Sequence, residues 1–269
     1  LTQGAVAKHP DSARAQLHHG LVLAMAGKNA DAAKAYGQAL KCAGNDADAL
    51  ASIASAYLDI EEQALAQKAV TKALQIDPDH AEALGNAGLL ALERGELANA
   101  ATHLKKAAKL SPKDAHVHYL QGVCAQRQGR HSAAVNHLRK AMSLDGDAVE
   151  YVTALGLAQM EKGSMSSAIQ MFKRAVKMAP KDPDLHLQLG IAYLKHRKYK
   201  LAIKAFDEMV ELAPEDPRPR YYLAILYGDK LGKAKEAIKA LEAYERLGGK
   251  EPSAIAWLDE LREELGQGD

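Results

Sequence analysis

Two cysteines, one tryptophan and two phenylalanines are all that 269 residues hold of those three types. Cys42 and Cys124 stand far apart with no Cys-x-x-Cys partner, which excludes an extracellular disulfide framework and a paired-thiol redox or zinc site. They read as two small buried apolar residues. Aromatics make up only 5% while Ala, Leu and Lys abound, a mix that favours helix over sheet. Neither charge sign is in excess. Lys plus Arg number 35 against 34 Asp plus Glu, so no global field gathers phosphates and nucleic acid is excluded as a partner class. No apolar run reaches the length of a membrane span. A 48% hydrophobic share is nevertheless too large for a disordered chain.

The chain opens on Leu1, without a charged start followed by an apolar stretch, so no signal peptide is visible. Residues 1–12 read as the remnant of a preceding helix or repeat, as in a piece cut from something longer. With neither signal nor span in this stretch, the expectation leans to the cytoplasm.

What the chain does contain is itself, repeated. A 34-residue ruler placed at Ala81 realigns on Ala115, Val149 and Pro183 going forward and on Ala47 and Ala13 going backward, without a gap. A seventh unit begins at Pro217 and needs one inserted residue near Leu231. The expected units are 13–46, 47–80, 81–114, 115–148, 149–182, 183–216 and 217–251. At position eight stand Gly20, Ala54, Gly88, Gly122, Gly156, Gly190 and Ala224, all with almost no side chain. Position twenty is Ala in every unit, from Ala32 through Ala168 to Ala237. Small residues at fixed points let one helix settle against another, ridge into groove. A large apolar residue follows four later (Tyr36, Val70, Leu104, Leu138, Phe172, Phe206, Leu241), one turn along the same face. Between the two small positions comes a break, usually Gly, and near each unit's end a Pro or Gly stops the second helix. Each unit is therefore a helical hairpin that buries its apolar face only by stacking on neighbours.

This pattern resembles the tetratricopeptide repeat over essentially the whole chain. Trp, usual at position four, is replaced by Gln16, Leu50, Leu84, His118, Val152, His186 and Arg220. Small Ala at position 27 gives way to Met209 and Tyr244, so looser packing is expected near the C-terminus. The resemblance implies an all-α, right-handed α-solenoid of antiparallel hairpins, its first helices lining a concave face. Residues 252–269 break register and are expected to form a capping helix and tail. In it Ser253 is the N-cap, and Ile255, Trp257, Leu258, Leu261 and Leu265 form the face that shields the last repeat.

Catalytic and metal chemistry finds no footing. His18 and His19 are adjacent and His116 and His118 two apart, spacings that place no two imidazoles on one helix face. No glycine-rich phosphate loop occurs, and no nucleophile sits in a strand-to-helix elbow. The expectation is a chain with no catalytic, cofactor or metal site.

Binding remains. The resemblance places positions two, five, six, nine, twelve and thirteen of each first helix on the concave groove. Position nine, commonly Asn in the family, is here Leu21, Ser55, Leu89, Val123, Leu157, Ile191 and Ile225. Positions five and twelve add Leu17, Leu58, Leu92, Tyr119, Met160, Leu187, Leu194 and Tyr221, either open to the groove or packed on the next repeat. Tyr222 lies beside Tyr221, with Arg218 and Arg220 close by in sequence, and Tyr with Arg is a common composition of hot spots. Charge at position thirteen, Arg127 among it, rims the row. The family's carboxylate clamp for acidic chaperone termini is disfavoured, because Ala51 and Ser55 stand where Lys and Asn should precede Asn86. A greasy row of this extent marks an interaction surface for an amphipathic helix or apolar segment.

Charge is uneven along the array. The repeat 47–80 holds six acids and two bases, a net of −4. Lys195, Arg197, Lys198, Lys200, Lys230, Lys233 and Lys235 instead give the turns of the last two units a basic rim. The sequence thus predicts a scaffold that captures partner proteins in its groove. The alternatives are an assembly scaffold docking folded proteins or itself through its convex face and basic rim, and the substrate-recruiting arm of a larger enzyme. Self-association stays open; membrane insertion is not expected.

Overall fold

The computed structural model describes residues 9–266. Residues 1–8, on which most of the expected N-terminal remnant falls, and residues 267–269 lie outside the described residues. The described residues form fifteen α-helices and one π-helical turn, and no strand. They fall into two compact units, Leu1–Asp145 and Gly146–Asp269. The first holds α1 (Ala13–Met25), α2 (Asn29–Cys42), α3 (Ala47–Asp59), α4 (Gln63–Ile76), α5 (Ala81–Glu93), α6 (Leu97–Leu110), α7 (Ala115–Arg127) and α8 (His131–Leu144). The second holds α9 (Val149–Glu161), α10 (Met165–Met178), α11 (Pro183–Lys195), α12 (Tyr199–Leu212), α13 (Arg218–Ile225), α14 (Ala234–Arg246) and α15 (Pro252–Glu264). Within each unit, consecutive helices pair as hairpins and the hairpins stack, as a tetratricopeptide solenoid does.

The small-residue columns are where the helices meet. All seven alanines at position twenty are 0% exposed. A Cβ built on Gly190 would lie 2.4 Å from Phe206 Cε1, and one on Gly156 2.8 Å from Phe172 Cε1. Gly20 faces Tyr36, Gly88 faces Leu104 and Gly122 faces Leu138 in the same way, each at 2.4–2.5 Å. So position eight is empty because the large residue at position 24 of the same hairpin fills it. Of the two units in which position eight keeps a methyl, Ala54 has the smaller Val70 as its hairpin partner, while Ala224 belongs to the seventh unit, whose inserted residue shifts the register. This knob-into-gap contact recurs because close packing tolerates neither void nor overlap.

Side chains close the first-helix N-termini. Ser12, Asp46, His80, Asp114 and Asp182 each accept a backbone N–H of the first turn, satisfying one of the donors a helix leaves open. A left-handed residue ends each first helix. Gly27, Gly95, Gly129 and Gly163 supply it at φ between 71° and 85°, but Glu61 and Arg197 occupy the same place with φ of 63° and 59°. A side chain there is strained by about 1–2 kcal/mol. Glu61→Gly and Arg197→Gly should each therefore raise stability, by about 1 kcal/mol after glycine's greater freedom in the unfolded chain is deducted. Thermal melts of the two variants check this, and a lowered midpoint would refute it.

The residue inserted in the seventh unit has a definite structural form. Leu226–Lys230 is a π-helical turn at the end of α13; an extra residue in an α-helix is absorbed in this way. The C-terminal helix begins two residues earlier than the expected Ser253 cap implied. Glu251 is its N-cap and Pro252 its first residue, where a missing N–H costs nothing. Ser253 does not cap; its Oγ donates to Glu251 Oε1 at 3.2 Å. The expected loosening at position 27 is also corrected. Met209 is 0% exposed. Tyr244 is half-buried and fits because Gly249, where a Cβ would come within 2.3 Å of Tyr244 Cζ, makes room. The Glu251 N–H then donates to Tyr244 Oη at 3.0 Å.

In place of the family's Trp, position four has a polar device in three units. Gln16 Nε2 meets the Pro10 carbonyl at 3.0 Å, His118 Nε2 that of Pro112 at 3.0 Å, and His186 Nε2 that of Pro180 at 2.9 Å. These side chains tie the start of a hairpin to the turn that precedes it. The sequence signal was available, as Pro followed six residues later by His or Gln.

Candidate functional site

Position nine lies next to the knob-into-gap contact on the helix surface, about 100° round from it. Its side chains therefore sit at the edge of the hairpin core rather than inside it. All seven, Leu21, Ser55, Leu89, Val123, Leu157, Ile191 and Ile225, are half-buried; none is sheathed and none fully open.

In the second unit, Leu157 and Met160 on α9, Ile191 and Leu194 on α11, and Tyr221 on α13 are half-buried and pack one side against the unit's core. Leu187 must be withdrawn from the row. It is 4% exposed and belongs to that core, because position five of α11 turns under the neighbouring hairpin. Tyr222 is largely committed inward as well. Its ring stacks on the fully buried Phe206, with centroids 5.2 Å apart and planes at 10°. Tyr221 remains, bracketed by Tyr222 and Tyr244 at 5.7 Å each.

In the first unit, Leu89, Tyr119 and Val123 are half-buried against the core around Leu104 and Leu120. Leu92, offered at position twelve, is 2% exposed and part of it. Arg127 is exposed, and its Nη1 donates to the Leu92 carbonyl. The polar stretch at Ser55 and Asn86 is satisfied within itself. Asn86 Nδ2 donates to Ser55 Oγ at 2.9 Å and to the Ala51 carbonyl at 3.2 Å, and Ser55 Oγ donates to Glu82 at 3.0 Å.

The second unit adds a feature that the repeat alignment did not contain. Tyr221, Ile225, Gly228, Asp229, Trp257 and Leu261 line a pocket of about 360 Å³. The π turn displaces Gly228 and leaves it bare. Trp257 of α15 approaches it so closely that a Cβ there would meet Trp257 Cζ2 at 2.5 Å. Half-buried Trp257 is thus both the anchor of the capping helix and a pocket wall.

The rim charges differ among themselves. Lys195, Arg197, Lys198, Lys200 and Lys235 are exposed. Lys233 lies 3.9 Å from Glu236, and Lys230 pairs with Asp229. Arg218 is held between Asp184 at 2.7 Å and Asp216 at 2.6 Å, which removes it from the expected hot spot. Its hydrogen bonds keep the Asp216 carboxyl below the usual carboxylate range. No group of residues among those described is arranged to hold a metal ion. No described helix is long and apolar enough to cross a membrane.

Two family models, both described as tetratricopeptide repeat, match the chain: one over residues 159–220, the other over 2–49, 52–115, 87–148 and 119–183. No curated protein matches its sequence. Among solved structures, pilF of Pseudomonas aeruginosa aligns at a TM-score of 0.66 and 20% identity, over 80% of this chain and 97% of that one. A chain of the Cut9–Hcn1 hetero-tetramer of the APC/C aligns at 0.72 and 20% identity, over 97% of this chain and 51% of that one, so this chain spans about half of that chain's length. YrrB, a TPR protein with an unusual peptide-binding site, aligns at 0.55 and 20% identity, over 66% of this chain and 92% of its own.

Proposed function

The chain belongs to the tetratricopeptide repeat family, and from that premise we propose that it is a protein-interaction scaffold whose second unit receives an apolar segment or amphipathic helix of a partner. The observation that carries this reading is the pocket walled by Tyr221, Ile225 and Trp257, at the end of a row of half-buried apolar side chains, Leu157, Ile191 and Ile225. Such a row with one deeper cavity suits a helix that lays apolar residues along a groove and seats one large side chain as anchor. YrrB joins a peptide-binding site to the same fold, which supports peptide capture as something the architecture accommodates.

The test is selection of peptides from a displayed library on the full chain, repeated on Trp257→Ala. Recovered sequences should share one large apolar or aromatic residue. Removing Trp257 should weaken them about tenfold or more, the loss of one hot-spot contact. Peptides that bind both chains equally would refute the pocket. A second reading, docking of an acidic partner, is favoured by the exposed Lys195, Arg197, Lys198 and Lys200 around the turn from α11 to α12. In that case the same selection returns acidic peptides whose binding weakens with salt.

A further inference from the structure

A second cavity does not lie on the apolar row. It lies in the first unit, with about 400 Å³ of space between α6, α7 and the start of α8, within the range of small-molecule sites. Its floor is apolar, from Ala101, Leu104, Cys124 and Ala125. Around this floor stand Lys105, Arg130 and His137. Gln121 and Gln128 also line it, their amides fixed by donation to the Leu104 and Leu97 carbonyls at 3.3 and 3.2 Å.

No carboxylate lines this cavity. Neither Lys105 nor Arg130 has an ion-pair partner among the described residues. The surrounding charges share one sign. Burial, then His118 and Arg130, push the His137 imidazole below its ordinary value. Burial raises the Cys124 thiol, against the opposing pull of Arg130 and Arg127, so Cys124 stays neutral and supplies no counter-charge. Cations around a partly enclosed, low-dielectric space focus a positive potential into it.

We propose that this pocket binds a small organic carboxylate, its charged end between Lys105, Arg130 and His137 and its apolar body on Leu104 and the alanines. The guanidinium fork suits the two carboxylate oxygens. An inorganic anion would leave the apolar floor wet, and a neutral analogue would leave the cations unpaired.

The test uses the full chain with benzoate, benzamide and inorganic phosphate as probes, followed through the imidazole signals of His137, which a His137→Gln variant assigns. Benzoate should shift them saturably at millimolar concentration. It should also bring the titration of His137 up toward the ordinary histidine value, because a bound anion favours the charged ring. Benzamide and phosphate should not saturate. Arg130→Gln should weaken benzoate about tenfold, as expected for one charge-assisted contact, while Lys109→Gln, on the same helix as Lys105, leaves it unchanged. Circular dichroism should show both variants with full helix content. Absence of saturation with benzoate, an equal response to benzamide, or an Arg130→Gln variant of undiminished affinity overturns the proposal. Phosphate binding as tightly as benzoate would overturn its organic half by showing that the pocket reads charge alone.

Discussion

Phe206→Ala should lower the stability of the second unit by about 3–5 kcal/mol, the cost of emptying a fully buried aromatic site. Phe206 is 0% exposed and its ring edge occupies the space beside Gly190. The informative experiment is the cycle with Gly190→Ala. In the natural chain the added methyl would lie 2.4 Å from a ring carbon, so it should destabilise by about 1–3 kcal/mol. That is more than the roughly 1 kcal/mol gained by replacing a mid-helix glycine. In the Phe206→Ala background the obstacle is gone, and the same substitution should become stabilising. The reversal of sign is what a double-mutant cycle reads. Hydrogen exchange of the α11 and α12 amides is a suitable measure, because repeat arrays open locally before they unfold as a whole. An unchanged sign would show that Gly190 is small for another reason.

Leu157→Asp combined with Ile191→Asp should reduce affinity for any apolar peptide recovered on the second unit by about a hundredfold or more. A ligand covers the half of each side chain still open, which stabilises by about 1 kcal/mol, and a carboxylate placed there must be desolvated at about 1 kcal/mol or more besides. Because both positions are half-buried at the edge of the core, helix content by circular dichroism should be preserved. Peptide affinity measured by fluorescence anisotropy checks the prediction. Undiminished binding by the double variant would remove the row from the function and leave the pocket or the basic rim to account for it.

The repeat was legible in the sequence because stacking imposes the same contact in every hairpin. First helices begin at Ala13, Ala47, Ala81, Ala115, Val149 and Pro183, the same 34-residue step that the alanines at position twenty display. The pairing of positions eight and 24 could also have been read, since Val70 stands opposite the one early unit that keeps Ala54. Departures from periodicity were harder to read. The inserted residue near Leu231 showed in the alignment, but nothing in it announced a π turn or the bare Gly228 surface that Trp257 covers. Leu187, Tyr222 and Arg218 misled for a related reason. Residue type and column say which side chains could face a groove, whereas ring stacking on Phe206 or capture by Asp184 depends on neighbours in the adjoining repeat.

By itself the sequence determined the helical class, the hairpin, its 34-residue period and the columns where helices touch, since these follow from side-chain size at fixed intervals. Only the tertiary structure decided which apolar residues keep a face toward solvent, which cations are already paired, and where cavities open beside Trp257 and His137. Exposure, pairing and empty volume are properties of several segments brought together, and no single segment of the chain encodes them.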